Sequence, residues 1–306
     1  MKTELSIVIP LYNEAENIKS LFNELNKLEE LLPKNTEVIL VNDGSTDDTN
    51  NIVKKTKLKF IKKTIIFSRN FGHQSALLAG LKKSTGEMVV TMDGDLQHPP
   101  KLILEMIDLY KNGYEIVLTQ KIGSNNISGF KKITSLAFYK IINLFSSTEI
   151  TESASDFRLI GRQALDSLLL LPENRKFLRG LINWIGFNKI IISFKVQPRV
   201  SGKSKYTINK MLTLALSGIT SFSTAPLYFA GGLGALMTVV SVIYGIYIIH
   251  QYLIGETVSG WTSMLLVLLI IGSFILIFLG VIGLYMAAIY DEVKKRPDYI
   301  IKEVNE

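Results

Sequence analysis

Residues 89–100 read VVTMDGDLQHPP, and this stretch decides the fold. An apolar run ends at Met92, Asp93, Asp95 and Gln97 follow, and two prolines close the segment. If the segment stays extended, alternation puts Asp93, Asp95 and Gln97 on one side. Two carboxylates and an amide suit a hard divalent cation, Mg²⁺ or Mn²⁺, of the kind that accompanies phosphorylated substrates. Such a position at the carboxyl end of a strand is where open α/β sheets bind ligands.

Outward from this centre, strands and helical periods alternate. Strands are expected at 5–10, 37–41, 64–67, 88–92, 115–119 and 189–196. Helices are expected at 14–32, from about 47, and at 73–83, 99–111 and 162–171. Apolar residues at 18, 21, 22, 25 and 28 give the first helix its period. Ser45 or Thr46 is the expected cap of the second, with Asp47 at its positive end. Pro99 suits a helix start. This order predicts an α/β domain with a mostly parallel sheet.

The rest of the chain changes character. Residues 130–147 carry Ile133, Ala137, Ile141, Leu144 and Phe145 at helical spacing, with Lys131, Lys132 and Lys140 elsewhere. That is a basic amphipathic helix, suited to a membrane interface. Residues 206–224 read as a second interfacial helix. No charged residue occurs from Met211 to Gly255, and after Glu256 none until Asp291. Residues 227–254 and 261–290 are each long enough to cross about 30 Å of hydrocarbon. Gly231–Gly234 suggests close helix packing. Lysines 203, 205 and 210 precede the spans, Lys294, Lys295 and Arg296 follow them, and the connecting loop has no basic residue. Both ends are therefore expected in the cytoplasm, with two spans in the plasma membrane. The expected division is a cytoplasmic catalytic domain over 1–200, a juxtamembrane segment over 201–225, a two-helix membrane domain over 226–290 and a cytoplasmic tail over 291–306.

The 306 residues include no cysteine, which excludes disulfides and thiolate metal sites. The N-terminal apolar run stops at Pro10, too short for a signal peptide. A net charge of +7 fits a protein lying against anionic headgroups. No basic stripe with interleaved aromatics points to nucleic acid.

Three polar strand ends should share one sheet edge: Tyr12-Asn13-Glu14, Asn42-Asp43-Gly44-Ser45 and Asp93-Gly94-Asp95-Leu96-Gln97. Tyr12 offers a ring face for a base, Asp43 an acceptor for a base N–H or a ribose hydroxyl, and the 93–97 group a metal for a diphosphate. Together they describe a nucleoside-diphosphate site. Trp184 is expected to pack or to sit at the interface. His73 and His98, each beside a turn, read as polar surface and receive no role.

The motifs IVIPLYNE, VNDGSTDDT, SRNFGHQSALLAGL, MDGDLQHPP and DFRLIGR, in this order and spacing, resemble family-2 glycosyltransferases of the GT-A fold. More narrowly they resemble polyisoprenyl-phosphate glycosyltransferases: bacterial undecaprenyl-phosphate glucosyl- or N-acetylglucosaminyltransferases and dolichyl-phosphate mannose synthases. The resemblance covers nearly the whole chain. It implies a UDP-sugar donor, a polyprenyl phosphate acceptor, the lipid bilayer as partner, and homo-oligomers, tetramers included. It implies that Pro10, Tyr12, Glu14, Val41 and Asp43 hold the nucleoside, with Gly94 beside them, and that Asp93, Asp95 and Gln97 hold Mg²⁺ or Mn²⁺. Asp156 matches the residue assigned as catalytic base, and Arg158 lies with it on the substrate side. Arg199 and Lys205 match a phosphate-binding basic pair; Lys131 and Ser135 fall where the acceptor phosphate docks. Two positions depart from the pattern. Gln120-Lys121 stands where an arginine is common, replacing a bidentate clamp with a point charge, and DGDLQ stands for the commoner DADLQ.

A lipid phosphate has a second pKa of about 6, so it need not lose a proton to an enzymic base. Asp156 is thus either a base or an orienting charge facing an oxocarbenium-like sugar; a salt bridge to Arg158 or Arg162 is the structural alternative. Single displacement implies inversion. Other readings of the chain are a GDP-mannose-using mannose synthase, a processive polysaccharide synthase and a non-catalytic membrane scaffold. The Gln-x-x-Arg-Trp motif of processive enzymes is absent, and no metal carboxylate has been lost as a scaffold would allow.

Overall fold

The computed structural model describes residues 3–122, 154–173, 178–195, 224–255 and 260–305. The segments 130–147 and 206–223, read above as interfacial helices, lie outside the described residues, as do Lys131, Ser135, Arg199 and Lys205. The described residues fall into two compact units. One comprises 3–122, 154–173, 178–195 and 296–305, and the other 224–255 and 260–295.

The first unit is built on a sheet of eight strands: β1 (Leu5–Leu11), β2 (Thr36–Asn42), β3 (Ile61–Phe67), β4 (Met88–Thr91), β5 (Ile116–Ile122), β6 (Ala154–Gly161), β7 (Lys189–Lys195) and β8 (Ile301–Asn305). Their spatial order is β7-β5-β6-β4-β1-β2-β3-β8. β1 pairs in parallel with both β2 and β4, and β2 with β3. Every residue of β1 and β2 is buried. That is why both carry apolar runs, at 7–11 and 38–41, rather than an alternating pattern.

Helices follow the parallel strands: α1 (Ile18–Asn26), α2 (Thr49–Lys55), α3 (His73–Lys83) and α4 (Leu102–Lys111), then α5 (Arg162–Leu170) and α6 (Leu178–Trp184). α1 buries Ile18, Leu21, Phe22 and Leu25, the i, i+3, i+4, i+7 stripe of an amphipathic helix. It begins later than expected, because its approach is tied to the loop before α2. The backbone N–H of Glu14 donates to Thr49 Oγ1 at 2.9 Å, and that of Ala15 to Asp47 Oδ2 at 3.2 Å. The expected cap of α2 differs too. Ser45 Oγ accepts from Asn13 N–H at 3.0 Å instead, and the helix starts at Thr49.

Three elements had no counterpart in the sequence reading. β6 lies antiparallel between β4 and β5. α6 contributes buried Leu178, Leu181 and Ile182. β8 brings residues 301–305 back antiparallel to β3 at the sheet edge. Just before it, Tyr299 stacks on Phe67 with centroids 4.9 Å apart, and Phe67 meets Phe71 edge-on at 5.7 Å.

The second unit comprises α7 (Ala225–Leu253) and α8 (Trp261–Val293). Within them, Pro226–Leu253 and Ile270–Val293 have mean hydropathies of 2.0 and 2.5 and are long and apolar enough to cross a membrane. The exposed side chains include Ile243, Ile246, Leu276 and Leu279. An apolar exterior of this kind is stable in lipid, not in water.

One glycine shows how tightly the sheet is covered. At Gly80, in α3, an added Cβ would overlap Val8 Cγ1 and press on Val41 Cγ2 at 3.2 Å. Alanine ordinarily favours a helix interior over glycine by about 1 kcal/mol. Here Gly80→Ala should reverse that sign and destabilise by about 1–3 kcal/mol, read as a lower thermal unfolding midpoint of the purified protein. An unchanged or higher midpoint would mean that the helix–sheet contact is looser than described.

Candidate active site

The order β4-β1-β2 sets three parallel strand ends side by side, so the three polar loops do share one edge of the sheet. Pro10 and Val41 are register partners in the last steps of β1 and β2, both buried, and form the floor. Tyr12 and Glu14 follow in a half-buried loop. Asn13 takes a left-handed φ of 53°, and its Oδ1 accepts from Thr46 N–H at 2.9 Å, tying the first loop to the second.

Asp43 is buried, and its carboxylate is committed to the third loop. Oδ1 accepts from Phe71 N–H at 2.6 Å; Oδ2 accepts from Gly72 N–H and Asn70 Nδ2, each at 2.9 Å. Burial pushes its carboxyl up, and these two backbone donors oppose that. The adjoining Gly44 has φ +64°, and a Cβ there would run into the Arg69 and Asn70 backbone. Asp43 therefore shapes residues 69–73 first, whatever else it contacts.

The expected alternation across 93–97 does not hold. β4 stops at Thr91 and a turn spans Gly94 and Asp95. Leu96 takes φ +59° and is buried in the core, so burying that side chain bends the segment off an extended path. Asp95 Oδ1 accepts from Gln97 N–H at 3.1 Å, within the turn. Gly94 packs close to β1: a Cβ there would sit 2.7 Å from Leu11 Cδ2, the mobile end of a side chain.

Asp156 arrives from β6. Thr91 is paired with Arg158. Thr91 Oγ1 also donates to the Asp156 carbonyl, which holds Asp156 beside the end of β4. Asp156 and Arg158, two apart, share a face of β6. Arg158 Nη2 donates to Asp156 Oδ1 at 2.8 Å, and Arg179 on α6 donates from Nε to Oδ1 at 3.0 Å and from Nη2 to Oδ2 at 2.8 Å. The salt bridge to Arg158 is present, and Arg162 points elsewhere, donating to the Gly86 carbonyl. Burial works against ionisation of Asp156, but Arg179, His73 and Arg158 outweigh it and hold the carboxyl well below the usual range.

Both histidines read as surface take part. His73 opens α3, and its Nε2 lies 3.4 Å from Asp93 Oδ1 and 3.5 Å from Asp156 Oδ2. Burial lowers its pKa, and the two carboxylates more than compensate, so the net direction is upward. The side chain keeps 42% of its surface exposed, so water screens part of this effect. His98 is fully buried, stacked on Phe157 at 5.0 Å. Its Nδ1 accepts the Asp93 backbone N–H at 3.1 Å, which leaves the proton on Nε2, 2.8 Å from Ser155 Oγ. Burial lowers the His98 pKa and keeps it neutral. It thus joins the end of β4 to the start of β6. Lys121, half-buried near the end of β5, lies close enough for its charge to add to that lowering.

Asp93 Oδ1 is buried and has no hydrogen-bond partner among the described residues. No group of three or more His, Asp or Glu able to hold an ion occurs among the described residues. Two carboxylates and an amide fit a cation whose remaining positions are filled by substrate oxygens or water.

Asp156 has a depressed pKa, so its stabilising contribution is complete above the unfolded carboxylate value of about 3.9 and is lost as pH falls through the lower folded value. The thermal midpoint of Asp156→Asn should therefore lie below wild type throughout pH 5 to 8, with a wider gap on the acid side of that range, where protonated His73 also loses its partner. The gap should close only in stronger acid. A gap that closes between pH 5 and 8 would show that Asp156 is not held ionised. His98→Ala removes a stacked ring and strands the Asp93 N–H; it should cost about 2–4 kcal/mol, read from the same melts. A loss within about 0.5 kcal/mol, the range of ordinary surface substitutions, would contradict its linking role.

Comparison with known proteins bears on the whole chain. The model of glycosyl transferase family 2 matches residues 6–169. An uncharacterized glycosyltransferase of Bacillus subtilis (strain 168), YkcC, is 38% identical over 98% of this chain and 94% of its own length. The bactoprenol glucosyl transferase of Shigella phage SfX is 37% identical over 98% of this chain and 99% of its own. Among solved structures, glucosyl-3-phosphoglycerate synthase from Mycobacterium tuberculosis, in complex with Mn²⁺, UDP and phosphoglyceric acid, aligns with a TM-score of 0.48 at 18% identity, over 72% of this chain and 76% of that one. With the mixed, mostly parallel sheet and its loaded edge, the family match and the full-length relatives settle the assignment: the chain is a glycosyltransferase of GT-A fold and belongs to glycosyl transferase family 2.

Proposed function

We propose that this chain transfers one glucose from UDP-glucose to a polyprenyl phosphate, with inversion at the anomeric carbon. The observation that carries the reading is the approach of His73 Nε2 to both acids, 3.4 Å from Asp93 Oδ1 and 3.5 Å from Asp156 Oδ2. Full-length relatives named bactoprenol glucosyl transferase, at 36–37% identity, favour glucose over N-acetylglucosamine or mannose and a polyprenyl acceptor over a growing polysaccharide.

In this reading Pro10, Tyr12, Glu14, Val41, Asp43 and Gly94 form the nucleoside side of the site. Asp93, Asp95 and Gln97 are the groups for Mg²⁺ or Mn²⁺. A divalent cation bound there supplies neutralising charge for the departing diphosphate. Lys121, Lys131, Ser135, Arg199 and Lys205 are the basic and hydroxyl contacts for phosphates. Asp156 acts as a fixed negative charge beside the sugar as oxocarbenium character develops. It is a poor proton acceptor, because Arg179 and Arg158 hold its carboxyl in the ionised form. The attacking phosphate oxygen supplies its own charge, so no enzymic base is required.

α7 and α8 are assigned to the plasma membrane, with the catalytic unit and both termini in the cytoplasm. The pairing of β8 with β3 supports an even number of crossings, since the chain that follows α8 rejoins the sheet that precedes α7.

The test is incubation of the purified full chain with undecaprenyl phosphate, Mn²⁺ and, separately, UDP-glucose, UDP-N-acetylglucosamine, UDP-galactose and GDP-mannose, followed by mass spectrometry of the lipid. The expected product gains one hexose from UDP-glucose, retains one phosphate and disappears with EDTA. Asp156→Asn should lower kcat by about 100-fold or more. Transfer from GDP-mannose alone would replace the reading by a mannose synthase, and several sugars per lipid by a processive enzyme. Absence of both product and UDP binding would leave a scaffold.

A further inference from the structure

We infer that Tyr299 is a positioning residue for the donor nucleotide: its ring, stacked on Phe67, holds the 68–72 loop in the shape that Asp43 and His73 require. This rests on the reading above, in which Asp43 stands on the nucleoside side of the site. It adds a residue from the far end of the chain that none of the motifs includes.

The loop has little packing of its own. β3 ends at Phe67, and Ser68, Arg69 and Asn70 are exposed. Gly72 has φ +101°, and a Cβ there would meet nothing within 4 Å. A glycine in open space is free to leave such a conformation unless its neighbours hold it. From inside, the Asp43 carboxylate holds the loop, accepting from Asn70 Nδ2 and from the Phe71 and Gly72 N–H groups. Those bonds last only while residues 70–72 stay within about 3 Å of the carboxylate.

From outside, the approach to β8 holds it. Ser68 N–H donates to the Ile300 carbonyl at 3.0 Å. Tyr299 lies flat on the buried Phe67 ring, with centroids 4.9 Å and planes 9° apart, and Phe67 meets Phe71 edge-on. Stacked and edge-on pairs are the two favoured ring geometries. Phe71 is thus pinned twice, its ring by Phe67 and its N–H by Asp43. The register between β3 and β8 shifts between Ile66 and Phe67, where the strand passes into the loop. Irregularities of this kind end regular pairing and re-aim side chains. Lys82 Nζ, in the last turn of α3, lies 5.7 Å from the Tyr299 ring centroid, so Tyr299 also meets the helix that the loop leads into.

The consequence falls on donor binding rather than on the chemical step. Without the stacked ring, the loop spends part of its time away from Asp43. A ligand's apparent affinity falls in proportion to the fraction of protein that is competent to bind it. Saturating donor draws the loop back, so turnover is preserved once the site is full. Donor affinity and donor KM therefore respond to Tyr299, and kcat does not.

The experiment compares wild type, Tyr299→Ala, Tyr299→Phe and Glu303→Gln as full-length protein in detergent. Glu303 also lies on β8 but pairs with Lys54 at the surface, at 3.4 Å, so it tests the strand without the ring. Three quantities are measured: UDP binding with Mn²⁺ by calorimetry, hydrogen exchange of the 68–73 amides with and without UDP and Mn²⁺, and donor KM and kcat with undecaprenyl phosphate. Tyr299→Ala should bind UDP about fivefold to tenfold more weakly and raise donor KM equally, with kcat within about twofold of wild type. Its loop amides should exchange faster, and UDP should slow them again. Tyr299→Phe keeps the ring and should match wild type, as should Glu303→Gln. UDP affinity of Tyr299→Ala within about twofold of wild type overturns the inference. So does a larger fall in kcat, which places the effect beyond donor binding, and so does an equal loss in Glu303→Gln, which assigns it to the strand. Should Tyr299→Ala fail to fold, Tyr299→Leu, which keeps apolar bulk and loses the stacked ring, decides by the same measurements. Wild type that binds UDP but glucosylates no lipid would remove the transfer reading alone, since binding and exchange still test Tyr299. Wild type that binds no UDP would remove both.

Discussion

Removing the Asp156 carboxylate from water costs several kcal/mol, and only close, well-aligned partners recover it. Arg158 and Arg179 do so from two elements distant in sequence, β6 and α6. β6 carries both Asp156 and Arg158 on one face, and its place beside β4 is what brings the pair to Asp93. Neutralising the carboxylate by substitution would leave two guanidiniums facing each other in a poorly hydrated space. The site and the packing of β6 against α6 are therefore a single electrostatic problem with one solution.

The central strands were legible because they are buried on both faces. β1, β2 and β4 carry apolar runs at 7–11, 38–41 and 88–90, and α1 shows the 3.6-residue stripe. β6 was not. Its sequence, ASDFRLIG, sets Asp156 and Arg158 at positions where a strand would ordinarily be apolar, and only the ion cluster makes them compatible with burial. The short α6 lacks the length for a clear period. The 93–97 segment misled in detail, since the core takes up Leu96 through a left-handed residue that alternation does not anticipate.

The same reasoning separates the site residues that could be read from those that could not. Asp93 and Asp95 stand out as acids beyond the end of an expected strand, whereas Asp156 was named only through the family resemblance. His98 could not be recognised because nothing local distinguishes a histidine in a turn from one whose ring is stacked under Phe157. His73 depends on α3 pointing its first residue at two acids from other strands. Arg179 depends on a helix that the local sequence does not call for. A signal was nonetheless present in SRNFGHQ: Gly72 sits at φ +101°, a sharp approach to α3 that fixes where His73 starts. Asp43, read from sequence as a ligand group, also turns out to be the anchor of that same loop.

Residues 301–305 are an edge strand, not a loose end. Asn305 pairs with Thr64. A fusion partner joined directly after β8 is joined to the sheet, two aromatic rings away from the loop that Asp43 organises. Shortening the chain by a few residues would strip β3 of its cover and expose a strand edge of the kind that recruits other chains. An affinity handle for purification belongs away from β8 or behind a generous spacer, and a protein trimmed of this strand would differ where the loop that Asp43 organises is braced.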